Sequence, residues 1–177
     1  MSDRLSSQFL ELLSFAPLSR IRRNHGLEHA TLNLLARRFP GRPFAGHSNW
    51  SGFWIVGEAS TEEIGAVVQE ALQRLVDGEG ELAVHANCGT NYVIAGVLAG
   101  SVAVLSMLGV GKRFRDKLER LPMAVTLATL ALILAQPLGL LLQERVTTSG
   151  NPGSLRVVKI APSRGGRLKI HRVFTQG

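Results

Sequence analysis

His25-Gly26-Leu27-Glu28-His29 sets two imidazoles and a carboxylate within five consecutive residues. On a helix, positions four apart stand on one face, so His25 and His29 can share one metal ion while Glu28 projects beside them. Two neutral histidine ligands leave positions open on zinc, and Glu28 is then placed as general base toward a water that the ion has acidified to a pKa of ~7. In a chain with 5 histidines, this pattern arises by chance roughly once in 100 such sequences. The bland alternative is a helix start carrying two half-exposed histidines and a solvated glutamate.

A second dense stretch is His85-Ala86-Asn87-Cys88-Gly89-Thr90-Asn91. His85 is the expected third metal ligand, with Cys88 competing for that place three residues on. A thiol at a helix N-terminus is also acidified. Cys88 is therefore an alternative nucleophile, with His85 or His29 as its base. The competing structural reading is a polar cap that ties a strand to the next helix. Cys88 is the only cysteine, so an intrachain disulfide is excluded and no oxidising compartment is implied.

The elements around these groups follow from periodicity and punctuation. Asn24 or Ser19 is expected to cap a helix that runs through the motif to about Arg38, where Pro40-Gly41 stops it. His25, Glu28, His29, Leu32, Leu35 and Phe39 share one face of it. Gly41–Gly52 reads as a loop, and Phe53–Val56 as a short buried strand. Ser60-Thr61-Glu62-Glu63 forms a capping box ahead of a helix that Gly78 ends. Glu81–His85 alternates as a strand, which would make a right-handed crossover if the two strands were parallel. Thr147–Ser154 reads as a linker. Leu155–Ile160 and Arg167–Phe174 are expected to form a β-hairpin that returns to the strands near Phe53 and Glu81. In its second strand Leu168 and Ile170 share a face and His171 points to the other, which makes His171 the weaker ligand candidate.

Two uncharged apolar runs, Tyr92–Gly111 and Leu121–Gln143, each reach the ~20 residues needed to cross a bilayer core. Gly96 and Gly100 would let a neighbouring helix, including one from a second copy, approach closely. Gln136-Pro137 predicts a kink and a polar group in need of a partner. The net charge of +7 would ordinarily raise nucleic acid as a partner. The basic residues instead flank apolar segments without any nucleic-acid signature, so the expected partner is the lipid bilayer with its anionic headgroups, and no nucleic acid. Orientation carries two opposed signals. Five Lys/Arg between Lys112 and Arg120 draw that loop to the cytoplasm, whereas the absence of a secretory leader holds the N-terminal part there. We take the second, placing both termini in the cytoplasm and the hairpin in the inner (plasma) membrane. Ser7–Phe15, followed by Arg20, Arg22 and Arg23, suits a short amphipathic helix at the membrane surface.

Two resemblances add to this reading. The five residues from His25 to His29 resemble the inverted zinc peptidases of the insulin-degrading and mitochondrial-processing type. That resemblance covers the motif alone, and no glutamate here matches those enzymes' distal third ligand. Over most of its length the chain resembles an uncharacterised bacterial membrane-protein family, of the kind found in cyanobacteria and green non-sulfur bacteria. The matching segments are Arg23–Thr31, His85–Asn91, Leu134–Gly139 and His171–Thr175. This resemblance implies a small domain anchored by a helical hairpin and brings no activity with it.

The fold class expected is therefore α+β: a small mixed domain interrupted by a two-helix transmembrane hairpin. Its expected parts are an amphipathic segment (1–19), an α/β part with the motif helix (20–91), the hairpin (92–143), and a linker with the terminal β-hairpin (144–177). Three functions compete. The first is a membrane-anchored zinc hydrolase, with His25, His29 and His85 as ligands and Glu28 as base. The second is a non-catalytic membrane protein acting by packing, and the third a thiol enzyme built on Cys88.

Overall fold

The computed structural model describes residues 11, 14–163 and 169–177. The chain forms two compact units: Met1–His85 with Glu144–Gly177, and Ala86–Gln143. Most of the expected amphipathic segment, including Phe9, Leu10 and Leu13, and also Arg167 and Leu168 of the terminal hairpin, lie outside the described residues.

The first unit is built on the motif helix, α1 (Ala16–Arg38). Neither Ser19 nor Asn24 caps it. Pro17 occupies its first turn, where a missing N–H costs nothing because that donor has no helical acceptor. Asn24 is instead fully buried. Its amide donates to Asn49 O at 2.8 Å and its carbonyl accepts from Thr175 Oγ1 at 2.7 Å, which ties the helix to two strands. From Asn24 to Leu35 the helix is buried on nearly every side, so it is a central element rather than a surface amphipath.

The sheet has four antiparallel strands in the order β1-β2-β4-β3: β1 (Phe44–Asn49), β2 (Gly52–Gly57), β3 (Arg156–Ser163) and β4 (Ile170–Gln176). The terminal β-hairpin forms as expected and joins β2 through β4. Two expectations fail. The supposed loop after α1 contains β1, hidden by its small residues: Gly46 lies against α1, where any side chain would strike Glu28. Glu81–His85 is not a strand. Gly80–Ala83 forms a 3-10 turn, and the sheet contains no parallel crossover. The cause lies in α1, whose Asn33 amide donates to both Leu82 O and Val84 O at 2.9 and 3.0 Å. His29 takes the carbonyl between them. With three successive carbonyls held by side chains, this segment has no need of a neighbouring strand.

Helix α2 (Thr61–Val76) opens with the expected capping box, Ser60 and Glu63 each accepting from the other's backbone N–H. Gly78, at φ +99°, closes it. Ile64, Val67, Val68 and Ala71 of α2 pack with Leu27, Leu35, Phe53, Ile55 and Val173 into one core. Residues 147–154 are a packed strap rather than a free linker. Thr148 is buried, Ser149 N donates to Arg22 O at 3.0 Å, and the Arg22 guanidinium donates to the carbonyls of Arg145, Val146 and Thr148.

The second unit is a helical hairpin of α3 (Gly89–Ser106) and α4 (Phe114–Leu142). Both helices are long and apolar enough to cross a membrane. The residues of α4 buried within the unit are small, Ala124, Ala131, Ala135 and Gly139, which lets the two helices approach closely. Gly96 and Gly100 face open space and take no part in packing within the hairpin. Arg115, Lys117 and Arg120, expected in the connecting loop, lie on the first turns of α4. The polar group that finds a partner is Gln143, which donates to Asn91 Oδ1 at 2.6 Å, whereas Gln136 is exposed.

Candidate metal centre

His25, His29 and Asn33 follow one another at four-residue spacing along α1 and therefore stand on one face. The His25 and His29 rings lie with centroids 4.3 Å apart, and His85 brings its ring to 5.7 Å from that of His29. His25 and His29 present ligand atoms within 4.8 Å of each other. His85 thus stands beside His29, but among the described residues neither His85 nor Glu28 brings a ligand atom within 4.8 Å of those of both His25 and His29. His29 is buried, while His25 and His85 are half-buried.

The hydrogen bonds decide how these rings are protonated. His25 Nδ1 is 3.0 Å from Thr147 O, and His29 Nδ1 is 2.8 Å from Ala83 O. A carbonyl only accepts, so each Nδ1 carries the hydrogen. His85 Nδ1 is 2.8 Å from Asn33 Oδ1. Because the Asn33 amide nitrogen is already donating to two carbonyls, its oxygen is the acceptor and His85 Nδ1 is the donor. In the neutral form of each ring the lone pair therefore sits on Nε2. Metal-binding histidines are held in this way, with one nitrogen anchored to an oxygen and the other presented to the ion. The donor set fits a borderline-soft divalent ion such as zinc.

Cys88 is buried and takes the N-cap position of α3 without a side-chain cap bond. Burial suits a ligand or packing role better than that of a nucleophile open to substrate. Glu28 is 4% exposed, with its carboxylate lodged against Gly46 of β1. His171, expected to face away from the site, lies on the core face of β4 instead, opposite Ile55 and two residues from Val173. The inward residues of β4 are His171, Val173 and Thr175.

Three residues essential to this arrangement were not singled out from the sequence. Asn33 orients His85 and clamps the 3-10 turn; its place at i+4 from His29 was the available signal. Gly26 lets Ser149 O approach the helix, since a Cβ there would stand 2.2 Å from that oxygen. Arg22 clasps the strap whose Thr147 carbonyl anchors His25. These long-range partners leave no trace in spacing.

Burial lowers the pKa of His85, and burial together with the charge of Lys169 lowers that of His171. Both rings therefore stay neutral in the folded chain at pH values where the unfolded chain, with histidine near 6.5, already binds protons. The stability from these neutral rings is fully present above ~6.5 and is lost as pH falls below it. Thermal melts of the metal-free protein should fall steadily between about pH 7 and 5. A flat profile over that window would contradict the buried placement of these rings.

An α+β unit with imidazoles converging beside a buried helix, on a chain that also carries two bilayer-length helices, describes a small protein with a candidate metal centre. The chain belongs to the family described as domain of unknown function DUF6391, whose model matches residues 20–160. It is 32% identical over 143 residues to an uncharacterized protein of Picosynechococcus sp. (strain PCC 7002), an alignment covering 73% of this chain and 66% of that protein. The chain thus spans slightly less than two thirds of that relative's length. These similarities agree with the uncharacterised family that the sequence resembles. No solved structure matches the chain.

Proposed function

We propose that this chain is a membrane-anchored zinc protein in which His25, His29 and His85 hold the ion, and that its chemistry is metal-dependent hydrolysis, with a peptide as the candidate substrate. The observation that carries the reading is the shared orientation of the three rings, each with Nδ1 donated to an oxygen and the lone pair on Nε2. Cys88, three residues beyond His85, is the alternative ligand.

Zinc, when bound, supplies Lewis acidity that polarises a carbonyl and lowers the pKa of water. The chain's own residues supply the rest. His29 is fixed by the 3-10 turn, His85 by Asn33 of α1, and His25 by the strap. Glu28, buried against Gly46, is the group assigned to take a proton during hydrolysis. Ala83, whose carbonyl holds His29, also lines a recess of about 520 Å³ with Glu81, Glu144 and Gly150, and this is the candidate substrate cleft. Glu28→Gln should therefore retain its metal and lose at least ~100-fold in turnover of a fluorogenic peptide library. Wild-type protein loaded with zinc that cleaves no such peptide, or a Glu28→Gln variant as active as wild type, would overturn the hydrolase assignment.

Membrane anchoring is proposed from the length and apolarity of α3 and α4, with both termini in the cytoplasm and the open Gly96/Gly100 face available for a second copy. After alkaline carbonate washing the protein should stay in the membrane pellet, and a reporter fused after Gly177 should be active only as a cytoplasmic enzyme. Release into the supernatant would remove the membrane assignment, and activity of a periplasmic reporter alone would reverse the orientation.

A further inference from the structure

The sheet carries a second feature on the face turned away from α1. Directly opposed residues of antiparallel strands share a face, so the register His47↔Trp54↔Arg172 sets these three together on the side opposite Phe53, Ile55 and Val173. Phe174, two residues after Arg172, shares that side and is paired with Lys159.

Arg172 is 7% exposed, so more than nine-tenths buried. Its guanidinium lies 3.7 Å from the Trp54 ring centroid and 5.2 Å from that of Phe174. Nη2 donates to Asn49 Oδ1 at 2.8 Å and to Ser51 Oγ at 2.6 Å. Among the described residues Nη1 has no acceptor, and no carboxylate pairs with this charge. None of the four strands contains Asp or Glu, whereas they carry Arg156, Lys159 and Arg172. Beside this uncompensated cation stand exposed apolar rings: Phe174, 39% exposed, and Trp50, 62% exposed, between the Asn49 and Ser51 that hold Arg172.

We infer that the outer face of this sheet docks on anionic phospholipid headgroups. A buried guanidinium with unmet N–H groups and no counterion is complementary to phosphate, which takes planar, paired donors. Exposed tryptophan and phenylalanine beside it match the composition of surfaces that sit at headgroup level. Basic side chains without acidic neighbours are drawn to an anionic leaflet. An acidic protein partner would meet the same charge, and the lipid-quenching measurement below separates it from a headgroup surface. The inference rests on the chain being membrane-bound, which carbonate extraction tests separately, so failure of one can be told from failure of the other.

The chain's 2 tryptophans, Trp50 and Trp54, both belong to this β1–β2 region, which gives a local readout in the full-length protein. The protein is reconstituted into phosphatidylcholine vesicles with or without phosphatidylglycerol, and tryptophan emission is followed with lipids brominated near the headgroup and with aqueous acrylamide. With phosphatidylglycerol present, emission should shift to the blue, be quenched by the brominated lipid and become shielded from acrylamide. Arg172→Gln should reduce the docked fraction about fivefold. Lys159→Gln, at an exposed position that threatens no packing, should act in the same direction. Equal acrylamide access with and without the anionic lipid would overturn the inference. So would shielding from acrylamide without quenching by the brominated lipid, because it would mean that protein covers this face.

Discussion

His29→Ala, purified without chelators, is expected to lose stoichiometric metal and roughly 3 kcal/mol of stability in the first unit. Two separable causes add. Removal of the ring leaves a cavity in a site that is 1% exposed and deprives the Ala83 carbonyl of its 2.8 Å donor. A buried acceptor left without its donor costs about 1–3 kcal/mol, and the cavity supplies the remainder. Any stabilisation from bound metal is lost as well, because a ligand that binds only the folded chain stabilises it by mass action. Metal analysis and denaturant unfolding on the same preparation separate the effects. A variant that keeps its metal would remove His29 from the ligand set, whatever its stability.

The second large effect is expected at Gly26, where sequence logic gives the opposite sign. Glycine inside a helix is normally worse than alanine by about 1 kcal/mol, so Gly26→Ala would ordinarily stabilise α1. Here the added Cβ would stand 2.2 Å from Ser149 O and 3.0 Å from its carbonyl carbon. Backbone cannot rotate out of the way as a side chain can, so the strap must move. The same strap presents Thr147 O to His25. Gly26→Ala should therefore destabilise the protein by about 3 kcal/mol, the upper end of overpacking costs, and weaken metal binding through His25. Urea unfolding and zinc titration test it, and a midpoint equal to or above that of wild type would contradict the close approach.

Much of the site was legible because it depends on spacing. The pairing of His25 with His29 needs only a helix, and the arrival of His85 needs only that the next polar stretch pack beside it. The capping box at Ser60, the apolar helices and the terminal hairpin were legible for the same local reason. What could not be read comes from distant partners. The segment around Glu81 alternates like a strand, yet Asn33 and His29 claim its carbonyls and turn it into a 3-10 helix. The stretch after Pro43 looks like a loop because its residues are small, yet smallness is what lets Gly46 lie against Glu28. The facing of β4 was inverted because Ile170 is the more apolar residue, whereas Arg172 covers its charge by stacking on Trp54. That leaves His171 to face the core.

The central claim is that three histidines with anchored Nδ1 atoms hold one zinc ion. The most direct measurement is the metal content of the wild-type protein, extracted in mild detergent without chelators and analysed by plasma mass spectrometry against protein concentration. We expect about one zinc per chain, held by three imidazole donors with a fourth position left open. Absence of any stoichiometric transition metal, in protein that is folded and has been offered zinc, would contradict the account and leave His25, His29 and His85 as packing groups around the 3-10 turn.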